Sequence, residues 1–432
     1  MLFDQLLSDL QAQLGQIKDH RSAINTKYSL SNVLLSAFAI FSLKDSSLFD
    51  YINQYDTRRS NLQTVYGITQ CPSDSALRQI LDGVKPSDLQ HLLGHYVKIL
   101  DDSGYLKPYE LKGDQLSNHL FIPIDGVQHF CSKTVHCECC LNKVHKNGTK
   151  TYHHNALTAA IVHPDLAQVL IVASEEIKIQ DGESKNDHEL KAAERLLPLI
   201  KTAIGKRKAI IGGDSLFANA PYIRLLQSHH LNFLLSIKEG YQGYPFVQFI
   251  NKQKEKQTII HEYKDKKNLY RYEFVNNLYL NGQNQDLKVN FIAFTQTDLK
   301  TKETIYFTWI TDIPITIQNC KTIVNIGRAR WKIENETFNT LKNQGYQYEH
   351  NFGHGKKYLS QNFSQMMMLA FLFDQIQQLL DPIFKQAVLI CKTKKLLWLR
   401  VKEIFDLAIV PNMNTIFKII NSKAKLSYNI II

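Results

Sequence analysis

The chain has 432 residues, carries a formal net charge of +11 and is 44% hydrophobic. That is long enough for two or three domains with a large buried core, and ordinary enough in hydrophobicity to exclude a disordered or collagen-like chain. The excess of Lys and Arg favours a polyanionic partner, DNA or RNA first. No apolar run approaches the roughly 18 residues that cross a membrane.

The first segment, 1–115, is expected to be an α-helical N-terminal domain; without a clear helix-turn-helix signature it reads equally as a DNA-docking module or a structural helical cap. Tyr28–Phe41 is apolar at helical spacing, and a second helix is expected near Pro72–Leu81, capped by Ser73 or Asp74. Arg58 and Arg59 lie between them as candidate exposed arginines for docking on DNA. The start, Met1–Leu10, lacks the basic and apolar regions of a signal peptide. With seven cysteines, that suggests a reducing compartment such as the cytoplasm.

From about 118 the pattern changes to strands. His119–Phe130 is apolar up to Asp125 and Gly126; Thr151–Val162 and Gln168–Ser174 are two more strands, with a turn at His163–Pro164. A helix is expected over Asn186–Ala203. Lys208–Phe217 is a buried strand ending on a second acid, Asp214, followed by a helix from Asn219 and a strand over Asn232–Lys238. Residues 240–313 are expected to be a β-rich insertion, basic and tyrosine-bearing over Thr258–Tyr272, suited to DNA backbone and unpaired bases.

The stretch Gly327–Lys342 is expected to be one amphipathic helix, with Trp331, Phe338 and Leu341 near one apolar stripe and Arg330 and Glu334 sharing a face. Met366–Phe373 is expected to be a core helix, and 381–432 a helical C-terminal tail.

These residues resemble a family. Ile-Asp125-Gly, Gly-Gly-Asp214-Ser-Leu-Phe-Ala-Asn and Arg330-Trp-Lys-Ile-Glu334 followed by Lys342 look like the DDE transposases of bacterial insertion sequences, over roughly 70–380. The resemblance implies an α/β fold: an RNase H-like mixed sheet with flanking helices over 116–380, interrupted by the insertion. It implies that Asp125, Asp214 and Glu334 are catalytic and bind two Mg²⁺ ions, with Mn²⁺ as a substitute. Arg330 and Lys342 would contact DNA. The implied activity is metal-dependent cleavage and strand transfer on double-stranded DNA, at transposon ends and target, by a homodimer on DNA. A nuclease that cuts without joining and an inactive DNA-binding derivative are the competing readings. This chain departs from the branch's helix signature at two places. Gly327 stands where the signature has Tyr, and Lys342 comes one residue late, with Leu341 at the expected position. Glu334 and Glu336 are both candidates for the third acid, and the spacing from Arg330 favours Glu334.

A second chemical feature is Cys137-x-x-Cys140, a spacing common among zinc ligands. With His145 it forms the candidate structural Zn²⁺ set, and Cys131, His136, His153 and His154 are further candidates. Such a knuckle would stiffen the loop that follows Asp125.

Overall fold

The computed structural model describes residues 2–22, 26–113, 115–179, 185–240 and 242–422; the last ten residues of the expected tail lie outside these. By contacts the chain divides into two units. The first comprises 1–93, 128–156 and 337–432, the second 94–127 and 157–336.

The first unit is mainly helical. Its long helix Leu359–Leu380 is buried along most of its length, including Met366–Phe373, as the uninterrupted apolar run requires. Helix Leu30–Ser42 packs against it. It begins at Ser29, whose hydroxyl accepts the Asn32 N–H at 3.2 Å. Arg58 corrects the sequence expectation. It is fully buried, not exposed, and its guanidinium holds Asp45 at 2.9 and 3.0 Å and also pairs with Asp406. A buried guanidinium needs carboxylate partners on both sides, and the fold supplies them. Arg59, one residue on, is exposed.

The second unit is built on a mixed sheet. In chain order the strands of the protein are β1 (His119–Ser132), β2 (Leu141–Val144), β3 (Lys150–Ile161), β4 (Leu170–Glu176), β5 (Lys208–Gly213), β6 (Asn232–Ser236), β7 (Ile259–Lys264), β8 (Asn268–Tyr279), β9 (Lys288–Asp298) and β10 (Thr304–Thr311). Neighbours run β3-β1-β5-β6-β10-β9-β8-β7, with β4 on β3. β5 lies parallel to both β1 and β6. Helix Lys185–Ile204 makes the crossover from β4 and packs on that strand. The short apolar runs of β5 and β6 reflect strands covered on both faces. This is the RNase H-like order expected from the sequence.

The insertion does not stand apart from this core. After helix Gly243–Lys254, β7 to β10 form an antiparallel meander, and β10 pairs with β6, Trp309 opposite Ser236. β6 would otherwise be an open edge, and the returning strand closes it.

The expected single helix over Gly327–Lys342 is interrupted. An α-helix spans Cys320–Ala329, a π turn spans Ile333–Phe338, and an α-helical turn spans Asn339–Asn343. Trp331 is 54% exposed and so leaves the expected apolar stripe. Among the described residues, no helix is long and apolar enough to cross a membrane.

Candidate functional site

In the second unit, two acids follow one register pair. Pro123 on β1 lies opposite Gly212 on β5; Asp125 follows two residues on within β1, and Asp214 stands one residue past the end of β5. Adjacent strands are about 4.8 Å apart, so this register brings the Asp125 stretch of β1 beside the end of β5. Gly212 belongs at this point because a Cβ there would collide with the Phe121 ring. Past Gly213 the chain turns, and Asp214 caps the turn by accepting the Leu216 N–H at 2.9 Å.

The third acid arrives on the π turn. Arg330 donates to Glu334 at 2.8 Å and lies 3.5 Å from Asp125, bridging both carboxylates while itself only 14% exposed. Asp125 also accepts the Gly126 N–H at 3.0 Å. Burial pushes the Asp125 carboxyl up, to about 7; Arg330 opposes this and the nearby Glu334 reinforces it. Two carboxylates facing each other in a half-buried site hold more negative charge than one guanidinium offsets. Glu336 is exposed and acts on Lys332 instead. Lys332 holds the turn in place by donating to the carbonyls of His163, Pro164 and Leu166 at 2.7–2.8 Å.

Asp214 and Arg330 border a cleft of about 680 Å³ whose walls include Lys238, Tyr306, Trp309 and Trp331. Gly327 faces the indole of Trp309, which a Cβ would meet at 2.7 Å. The space that a tyrosine would need at 327 is thus filled by an aromatic ring from β10. The sequence reading missed this ring, since a strand tryptophan gives no sign of facing a helix. It also missed Glu189, a buried acid on helix Lys185–Ile204 whose Oε1 lies 3.2 Å from where a Cβ on Gly126 would stand. Lys342 belongs to the first unit, where its ammonium pairs with Glu349 at 2.8 Å.

The first unit contains a second cluster. Cys137 and Cys140 approach with Sγ atoms 3.8 Å apart, closed by a turn in which Cys140 N–H donates to the Cys137 carbonyl at 3.2 Å. His145 does not join them. It lies exposed after β2, its Nε2 2.9 Å from the Thr151 hydroxyl, and the hairpin carries it away from the thiols. Cys131 is exposed, and His136 stacks on Tyr152 with centroids 4.2 Å apart. The imidazoles that do join are His154 on β3 and His354, from the loop before helix Leu359–Leu380. His354 was beyond sequence reasoning, being 214 residues from Cys140.

A family model described as a transposase DDE domain matches residues 143–372, just over half the chain. The match includes Asp214, Arg330, Glu334 and Lys342 and begins after Asp125. No curated protein matches the sequence.

Proposed function

We propose that this chain, which belongs to the transposase DDE-domain family, cleaves DNA and transfers strands for an insertion sequence, using Asp125, Asp214 and Glu334 as ligands of two Mg²⁺ ions. The observation that carries the reading is that Asp125 on β1 and Asp214 just past the adjacent parallel β5 both follow the Pro123–Gly212 register pair, with Glu334 tied to Asp125 through Arg330. The donor set fits: three carboxylates offer hard oxygens, and the charge they concentrate calls for a cation. When bound, Mg²⁺, or Mn²⁺ in its place, supplies activation of a water or 3′-hydroxyl nucleophile and stabilisation of the leaving oxygen.

The protein's own part is positional. β1 and β5 fix two acids on a rigid sheet, and the π turn brings the third. Arg330 neutralises part of their charge and contributes a cation where phosphate would enter. Lys238, Arg328 and the exposed Trp331 line a cleft suited to DNA backbone and unstacked bases. Lys342 is a further DNA contact in this reading. Two DNA ends must be handled together, so the working form is a homodimer on DNA.

The test is cleavage and joining on labelled DNA carrying the element's ends, with Mg²⁺, with Mn²⁺ and with neither. Wild type is run beside Glu334→Ala and Glu336→Ala. Metal-dependent joining lost in Glu334→Ala alone supports the assignment, and loss in Glu336→Ala alone moves the third acid. Cutting without joining makes the protein a nuclease. Binding with neither reaction makes it a DNA-binding derivative.

A further inference from the structure

We propose that Cys137, Cys140, His154 and His354 form a closed, four-coordinate structural Zn²⁺ site within the first unit. The four ligand atoms lie within 4.8 Å of one another. Their separations match the edges of a coordination tetrahedron. With Zn–S near 2.3 Å and Zn–N near 2.0–2.1 Å, such a tetrahedron has S···S of about 3.8 Å, S···N of about 3.5 Å and N···N of about 3.3 Å. The observed distances are 3.8 Å between the sulfurs and 3.3 Å between the two Nε2 atoms. Three of the four sulfur–nitrogen edges are 3.5 Å for Cys137–His154, 3.4 Å for Cys140–His154 and 3.1 Å for Cys140–His354, and the fourth lies within 4.8 Å. A disulfide needs its sulfurs about 2.05 Å apart, so the pair is not one.

The donor chemistry agrees. Two thiolates and two imidazoles in a tetrahedral S₂N₂ set select zinc over the hard cations that carboxylates hold. On binding, two thiol protons pass to solvent, and the two thiolate charges cancel the ion's. The resulting neutral centre can be buried without an uncompensated charge. Burial is indeed deep: Cys140, His154 and His354 are all in the core, and Cys137 is half-buried. All four positions are protein ligands, which leaves none for substrate and marks a structural role.

The surroundings hold the ligands ready. Cys137 N–H donates to Cys140 Sγ at 3.4 Å, favouring the thiolate. His354 Nδ1 lies 2.9 Å from the Gly355 carbonyl; as an N–H donor there it leaves Nε2 unprotonated and facing the sulfurs. The Asp82 carboxylate accepts the backbone N–H groups of Lys356, Lys357, Tyr358 and Leu359 at 2.9–3.0 Å. Arg78 donates to the Phe352 carbonyl. The loop bearing His354 is therefore pinned on both sides. The bound ion would fasten the hairpin of β2 and β3 to this loop.

The site is tested without any DNA reaction, so it stands or falls separately from the proposed activity. Full-length protein, purified without a histidine tag from zinc-supplemented cells, should carry one zinc per chain by elemental analysis. Exchange with Co²⁺ should give the visible bands of tetrahedral cobalt and a thiolate charge-transfer band. His354→Ala should lose zinc and the cobalt spectrum, and His145→Ala should keep both. Wild type without stoichiometric zinc and without a tetrahedral cobalt spectrum overturns the proposal, whatever the variants do. So does zinc retained with an unchanged spectrum in His354→Ala.

Discussion

The two clusters of polar side chains invite opposite uses. The carboxylates sit in the second unit, beside a wide cleft, with one arginine bridging two of them. The cysteines and histidines sit in the first unit, three of the four in the core and Cys137 half-buried, with their ligand atoms gathered within 4.8 Å. An open set of hard oxygens with surplus negative charge can admit a cation and a phosphate and release a product. A closed set of soft donors can only hold what it binds. In the proposed roles, ligand type and exposure together separate a reactive centre from a structural one, where either alone would be ambiguous.

The most severe test of this contrast is to remove one acid. Asp125→Asn, Asp214→Asn or Glu334→Gln should each lower joining by about a thousandfold or more, the several kcal/mol that metal-centred stabilisation supplies. Zinc content and thermal midpoint should stay at wild-type values, and Glu336→Gln should join normally. If an acid variant lost zinc as well, the two clusters would not be independent. Withdrawing each metal separately is the next test. Omitting Mg²⁺ should stop joining while the melting curve stays in place. A zinc-selective chelator should lower the midpoint, by roughly 1 °C for each kcal/mol lost in a chain of this length.

A smaller effect is expected from Asp82. Burial raises its carboxyl, but four backbone N–H bonds outweigh that and hold it below its usual range. A depressed folded-state value means stability that is present above the unfolded value, near pH 4, and is lost as pH falls through the folded one. Asp82→Asn should cost about 1–3 kcal/mol at neutral pH. It should also flatten the acid limb of the stability curve, as read by denaturant titration across pH. An unchanged acid limb would show that the His354 loop is held by other means.

Much of this architecture is legible in the amino-acid sequence. The alternation and length of the apolar runs locate β1, β3, β4, β5 and β6, because each is a local pattern with its own turn signals. The motif around each acid singles out Asp125 and Asp214 as candidates. What escapes is non-local or depends on burial. Arg58 looks exposed in sequence, since nothing adjacent reveals that Asp45 and Asp406 surround it. His145 looks like a zinc ligand because it is near Cys140 in the chain, while His354 is near it in space. Trp309 and Gly327 exchange bulk between a strand and a helix, a complementarity that no window along the chain contains.

The π turn at Ile333–Phe338 has a consequence for how the helix signature is counted. A π turn takes up about one residue more than an α turn. The signature's lysine position falls on Leu341 in this chain, with Lys342 one residue later, and the π turn begins one residue before Glu334 and runs toward Lys342. A single extra residue can be absorbed this way without lengthening a loop, the helix widening for one turn and then resuming. Spacing rules written for a regular helix would score such a chain as a poor match. The better criterion for relatives is angular position around the axis, with one residue of slack allowed wherever the turn widens.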